Sequence, residues 1–212
     1  MGRYTGPVCR LCRRYGDKLY LKGDRCQGPK CAFERRPSPP GQQKRAGFAR
    51  RRRVSDRALQ LREKQRARVT YGIMEAQFRR YYREAMRRTG VTGETLLRLL
   101  EMRLDNAVFR LGFADSRAQA RQIVRHGHIA LNGRPTDIPS CALKVGDQIT
   151  WSPKGQQTEM LKIVQEGLQS KEVPDWLGVD AASMTGRILT MPDVTQVGAK
   201  FDPAVIVEFY SR

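Results

Sequence analysis

Four of the five cysteines stand near the amino end, Cys9, Cys12, Cys26 and Cys31, in the pattern C-x2-C-x13-C-x4-C. Two close pairs across a loop are what a tetrahedral four-thiolate site requires, because each pair supplies two ligands from one turn. Two disulfides would use the same residues. The stretch from Met1 to Pro7, however, lacks the apolar core of a secretion signal, and disulfides belong to oxidising compartments. Four unligated thiols in a stretch rich in Gly, Lys and Arg, too polar to bury them, would have no rationale. With every ligand a cysteine, no coordination position is open to a substrate, so the metal would be structural. A unit of about 35 residues scarcely folds without such a staple. Zinc is the expected ion; an iron–sulfur cluster also takes four thiolates, and the spacing admits it. Cys141 stands alone and reads as a small buried hydrophobe.

The other residues able to do chemistry are basic. His126 and His128 are the two histidines. Acid–base catalysis would need a partner carboxylate and a nucleophile, and nearby Asp115 and Asp137 belong to no recognised motif, so no enzymatic activity is expected. Arg117, Arg121 and Arg125 recur every fourth residue, on one helix face that runs through Gly127 into a hairpin. Such a surface suits phosphates and a shallow RNA groove, although the same spacing also fits an ordinary solvated face. Arg50, Arg51, Arg52 and Arg53 are less ambiguous, because four adjacent cations repel unless a polyanion screens them.

Composition points the same way. The 212 residues carry a formal charge of +19, which gains a globular domain nothing in stability and calls for a polyanionic partner. No stretch approaches the roughly 18 apolar residues of a spanning helix, and the first residues fail the myristoylation pattern. The charge is uneven. Residues 1–53 hold 16 Lys and Arg against 3 Asp and Glu, whereas residues 151–212 hold 6 against 8. The first half is therefore expected to hold phosphates and the tail to serve packing or protein contacts.

These residues must be positioned by recognisable elements. Pro37 to Gly41 reads as a linker running into a basic helix start. Residues 54–111 read as helical: Met74, Phe78, Tyr81, Tyr82 and Ala85 oppose Arg79, Arg80, Arg83 and Arg87, and Gly90 suits a helix end. Thr92 can cap a further helix with a stripe of Leu97, Leu100, Leu104, Val108 and Leu111. Ser116 and Gln119 have capping-box form, and that helix should end at Gly127. Residues 128–131 alternate as a strand, Asn132-Gly133 is a tight-hairpin signal, and residues 148–151 form another strand after the Gly146 turn. Residues 157–169 read as helix, and 187–191 and 205–210 as strands. The fold class is α+β, mainly helical in the first half.

At this point the residues resemble a known family. Arg103-Leu104-Asp105-Asn106-Ala107-Val108-Phe109-Arg110-Leu111-Gly112-Phe113, Ser116 to Gln122, Val124 to His128 and Asn132-Gly133 look like the RNA-binding module named after ribosomal protein S-four. The start from Met1 to Pro7 with the four cysteines, Pro174-Asp175-Trp176-Leu177, and the end from Ile206 to Arg212 resemble the metal-containing bacterial form of that family. The likeness covers nearly the whole chain, with residues 136–144 matching most loosely.

The resemblance implies a structural component of the small ribosomal subunit. Such a protein binds small-subunit rRNA directly, nucleates assembly of the subunit body at a multi-helix junction, and works in the cytoplasm. It implies contact with ribosomal protein S-five that affects decoding accuracy, messenger RNA near its entry path as a further partner, no membrane partner, and a monomer off the ribosome. The implied organisation is a metal-stapled basic extension over 1–45, a helical domain over 46–100 completed by about 176–212, and an inserted S-four-type RNA-binding module over 101–175. Expected RNA contacts are Arg3, Arg10, Arg13, Arg14, Lys22 and Lys30 in the cysteine unit, then Lys44, Arg45, Arg50 to Arg53 and Arg57. Within the module they are Ser116, Arg117, Gln119, Arg121, Arg125, His126, His128, Asn132 and Arg134. An RNA-modifying enzyme with this module would need a catalytic domain of well over a hundred residues, for which the remaining stretches are too short and too basic. A zinc-containing DNA regulator would usually show a recognition helix beside the metal and a dimerisation element, and neither is evident.

Overall fold

The computed structural model describes residues 3–41, 54–195 and 197–211. The expected contacts Lys44, Arg45, Arg50, Arg51, Arg52 and Arg53 lie outside the described residues. In chain order the elements are α1 (Cys9–Tyr15), α2 (Ala32–Arg35), α3 (Asp56–Thr70), α4 (Glu75–Arg87), α5 (Thr92–Glu101), α6 (Leu104–Arg110) and α7 (Arg117–Arg125). There follow β1 (Ile129–Leu131), β2 (Arg134–Pro135), β3 (Gln148–Trp151), α8 (Pro153–Gln156), α9 (Glu159–Leu168), β4 (Leu177–Asp180), β5 (Thr185–Ile188) and α10 (Pro203–Tyr210). They form two compact units: residues 1–83 with 199–212, and residues 84–198 inserted between them.

In the first unit, Cys12, Tyr15 and Leu19 are buried against Leu11, Leu21, Phe33 and Val69. The last turn of α1 is held to α3 by arginine: the Tyr15 carbonyl accepts from Arg62 and, at 3.3 Å, from Arg66. A helix C-terminus presents unpaired carbonyls and a partial negative charge, so guanidinium groups are favourable there. Helix α3 starts at Ser55, whose hydroxyl accepts from the Ala58 N–H at 3.4 Å.

Residues 205–210 correct the sequence expectation, because they form helix α10 and not a strand. Alternation of Val and Ile signals β structure, but Asp202 caps the helix by accepting from the Ala204 N–H at 2.8 Å, and Pro203 occupies the first turn. Helix α10 packs on α3 and the start of α4. The Gln60 amide donates to Glu208 at 3.0 Å, and Tyr210 stacks on Tyr82 with centroids 4.6 Å apart. Lys64, only 4% exposed, reaches Glu75 at 2.8 Å and lies 4.6 Å from the Phe209 ring centroid.

The second unit is a five-stranded antiparallel sheet in the order β2-β1-β3-β5-β4, with its helices around one core. Leu104, Val108, Leu111, Phe113, Ile123, Val124, Ile129, Ile149, Trp151, Trp176, Leu177 and Ile188 are all buried in it. The leucine stripe expected on one helix is divided between α5 and α6, with Val91 and not Thr92 at the cap of α5. At the break Met102 turns and Arg103 is extended, Arg103 bridges Ala142, and the Leu104 and Asp105 N–H groups donate to the Cys141 and Pro139 carbonyls at 3.0 and 3.1 Å. The second compact unit takes in α5, and residues 176–188 complete its sheet, because Trp176, Leu177, Met184 and Ile188 lie in the core of that unit.

Among the described residues, no helix is long and apolar enough to cross a membrane.

Candidate RNA-binding surface

The arginines of the module separate into two groups with different work. Glu101, fully buried at the end of α5, accepts from the Asn106 amide at 2.8 Å and from Arg110 at 3.0 and 3.2 Å. Asp105 takes a bidentate fork from Arg103, at 3.0 and 2.7 Å, and a further bond from Arg121 at 3.0 Å. Arg117 donates to the Asn106 side-chain amide oxygen at 2.8 Å and lies over the Phe109 ring, 4.6 Å from its centroid. Two carboxylates and four guanidinium groups thus form two largely buried clusters, Glu101 with Arg110 and Arg117 and Asp105 with Arg103 and Arg121, which tie α5, α6 and α7 together. A buried charge must be paired and hydrogen-bonded to be tolerated, and here the pairing fixes the angle between helices.

This corrects the expectation that Arg117, Arg121 and Arg125 present one free face. Arg117 and Arg121 turn inward to carboxylates supplied by the preceding helices, and Arg125 is left exposed. Ser116 and Gln119 are likewise engaged within the fold. The Ser116 hydroxyl caps α7 by accepting from the Gln119 N–H at 3.3 Å, and the Gln119 side chain accepts from the Asp115 N–H at 2.8 Å.

What remains outward is compact. Arg125 and His126 are exposed at the end of α7, and Gly127, with φ of 75°, turns the chain into β1. Positive φ at Asn132 and Gly133, 50° and 78°, closes the tight hairpin and leaves Arg134 exposed beyond it. Asn132 has a structural duty, since its amide donates to Asp147 at 2.9 Å and accepts from the Gln148 N–H at 2.8 Å. His128 is half-buried, and its Nδ1 has no hydrogen-bond partner. Burial first, and then the Lys154 and His126 charges, hold its imidazole below the usual range. Lys154 joins this group although sequence reading did not select it. The signal was the Ser152-Pro153 start of α8, where the Ser152 hydroxyl caps the turn by accepting from the Gly155 N–H at 3.1 Å.

In the first unit, Arg3, Arg10, Arg14, Lys22, Lys30 and Arg57 are exposed. Arg13 is half-buried and tethers the following segment, donating to the Ser38 carbonyl at 2.8 Å. Cys12, Cys26 and Cys31 are buried, Cys9 is half-buried, and all are free thiols. Burial pushes the Cys12 thiol up, the Leu19 N–H opposes this, and the nearby Cys26, Cys9 and Cys31 add to the rise. The Lys22 N–H donates to the Cys26 sulfur at 3.3 Å. The donor set is thus right for a thiophilic metal and draws together around Cys12. Among the described residues, though, no group of three or more His, Cys, Asp or Glu stands in metal-holding geometry. Cys141 is a half-buried single thiol.

Family comparison places this construction. The ribosomal protein S4/S9 N-terminal domain matches residues 3–101 and the S4 domain matches residues 102–149. The class is therefore a ribosomal protein with a helical amino-terminal domain and an S4 domain of α+β build. Over all 212 residues, and over the whole of each relative, the chain is 53% identical to the small ribosomal subunit protein uS4 of Thermus thermophilus and of Heliobacterium modesticaldum. It is 50% identical to that of Dehalococcoides mccartyi over the same span. The chain belongs to the uS4 family of small ribosomal subunit proteins, a structural family and not an enzyme family.

Proposed function

We propose that this protein is a structural component of the small ribosomal subunit that binds small-subunit rRNA directly and nucleates folding of the subunit body. The observation that carries the reading is the outward basic group at the α7–β1 turn and hairpin, exposed Arg125, His126, Arg134 and Lys154, on a fold whose full length matches uS4 proteins. The inner arginines hold the helices, and the outer ones are free for phosphate. Such binding is electrostatic and shape-dependent. Neutralising about ten phosphates gives a log–log salt slope of about −7 to −9.

The four cysteines, in this reading, hold a structural zinc that orders residues 3–36, an iron–sulfur cluster being the other group the ligand set admits. Support comes from the spacing, the burial of three thiols and the N–H donors aimed at two of the sulfurs. The wider role follows the family resemblance: a cytoplasmic protein, monomeric off the ribosome, contacting ribosomal protein S-five in a way that affects accuracy, and lying near the messenger RNA entry path. The test is a binding competition between naked small-subunit rRNA and duplex DNA, with a salt titration. Preference for the rRNA with a steep negative slope supports the reading; preference for duplex DNA overturns it.

A further inference from the structure

The turn that carries His126 and His128 is clasped from behind by the segment after β3. The Ser152 N–H donates to the His128 carbonyl at 2.9 Å, and its hydroxyl donates to the Gly127 carbonyl at 2.8 Å. The Lys154 ammonium donates to the His126 carbonyl at 3.0 Å. Gly155 makes the approach possible, since a Cβ there would meet the His128 carbonyl oxygen at 2.4 Å. The clasp therefore fixes Lys154 beside two imidazoles whose ring centroids are 6.1 Å apart, next to exposed Arg125. Lys154 is exposed and uses one of its three N–H donors internally, which leaves two for a ligand.

The groups that act on His128 are Lys154 from α8 and His126 from the end of α7, and no carboxylate is among them. Desolvation and these two groups all favour the neutral imidazole, and its Nδ1 is buried without a partner. An anion placed here reverses the sign of the local field and favours the protonated ring.

We propose that Lys154, His126 and His128 form a proton-linked phosphate subsite: an RNA phosphate seated against the Lys154 ammonium draws a proton from solvent onto the His128 imidazole. This rests on the RNA-binding reading and adds to it a residue, Lys154, that lies beyond the matched S4 domain. Because the bound imidazole holds its proton more firmly than the free one, binding takes up a proton, and affinity rises as pH falls. A rise of one pKa unit in the complex corresponds to about tenfold in affinity across the window.

The chain has two histidines, so both imidazole titrations can be followed by NMR in the full-length protein, free and bound to a small-subunit rRNA transcript. The expected result is a His128 titration displaced to higher pH in the complex. Filter binding at fixed salt should show affinity rising about threefold to tenfold from pH 8 to pH 6. Lys154→Gln should weaken binding at pH 8 and shrink the displacement of the His128 titration by RNA, and the half-buried His128→Gln should flatten the pH dependence. The His128 titration in Lys154→Gln carries the test should His128→Gln fail to fold. A His128 titration unmoved by RNA in the wild-type protein, one displaced equally in Lys154→Gln, or a pH dependence intact in His128→Gln overturns the proposal while rRNA binding stands. Failure of the wild-type chain to bind rRNA at any pH would instead remove the functional reading itself.

Discussion

Asp105→Ala should destabilise the second unit far more than a surface charge change would. Asp105 receives both arms of Arg103, a residue 1% exposed, and one bond from Arg121. Removing the carboxylate takes from the buried Arg103 guanidinium its bidentate ion-pair partner. Breaking a buried pair in this way costs about 3–5 kcal/mol, against a total stability of about 5–15 kcal/mol for a domain. The assay is urea unfolding of the full-length chain followed by tryptophan fluorescence. Both tryptophans, Trp151 and Trp176, are buried in the core of this unit, so the signal reports it selectively. With a urea m-value of about 1–3 kcal/mol per molar, the midpoint should fall by about 1–5 M. Arg103→Met combined with Asp105→Leu should recover most of the loss, because well-packed apolar side chains can replace a buried ion pair at little cost. A midpoint lowered by less than about 0.3 M, equivalent to less than about 1 kcal/mol, would show that the pair carries no such weight. A double variant as unstable as the single one would show that apolar packing does not replace it.

Other outcomes follow from the same contacts. Chelation of metal from the purified protein should collapse the amide spectrum of residues 3–36 and leave the tryptophan-reported unfolding of the second unit unchanged; an unaltered amino-terminal spectrum would speak against a metal staple. Gly155→Ala should lower both stability and RNA affinity, since its Cβ would sit 2.4 Å from the His128 carbonyl oxygen and 3.0 Å from the Trp151 ring; normal affinity in a stable variant would contradict the clasp. Burial pushes the Glu75 carboxyl up, but the Lys64 and Tyr210 hydrogen bonds and the Lys64 and Arg68 charges outweigh it and hold it below its usual range. Its contribution is therefore present above the ordinary carboxylate range and lost as pH falls through the lowered value. Hydrogen exchange should show α10 loosening from α3 in acid before the second unit opens, and Tyr210→Phe should move that loosening to higher pH.

Local signals in the sequence were read where the chemistry is local. Ser116 caps the start of α7 with its own hydroxyl, Gly127 at its end and Gly133 at the hairpin allow positive φ because they lack a Cβ, and each stands where expected. Long-range partners were not legible. The α5–α6 break at Met102-Arg103 carries no Gly or Pro; it exists because the 139–143 segment supplies hydrogen bonds from outside. Arg117 and Arg121 have the spacing of an exposed stripe, yet Glu101 and Asp105 claim them, and only the packing of α6 on α7 reveals that. Val205 to Val207 read as strand because β-branched residues alternate there, until the Asp202 cap and Pro203 override the preference. The signature that revealed the family, from Arg103 to Gln122, is largely the internal ion-pair scaffold of the module, while part of the outward surface comes from Lys154, which no motif marked.

Footprinting on naked small-subunit rRNA decides whether this fold recognises one shaped site. Protection of one compact multi-helix junction that survives moderate salt is the expected result. Diffuse protection that disappears as salt is raised would show a general basic RNA binder and contradict a role in nucleating assembly.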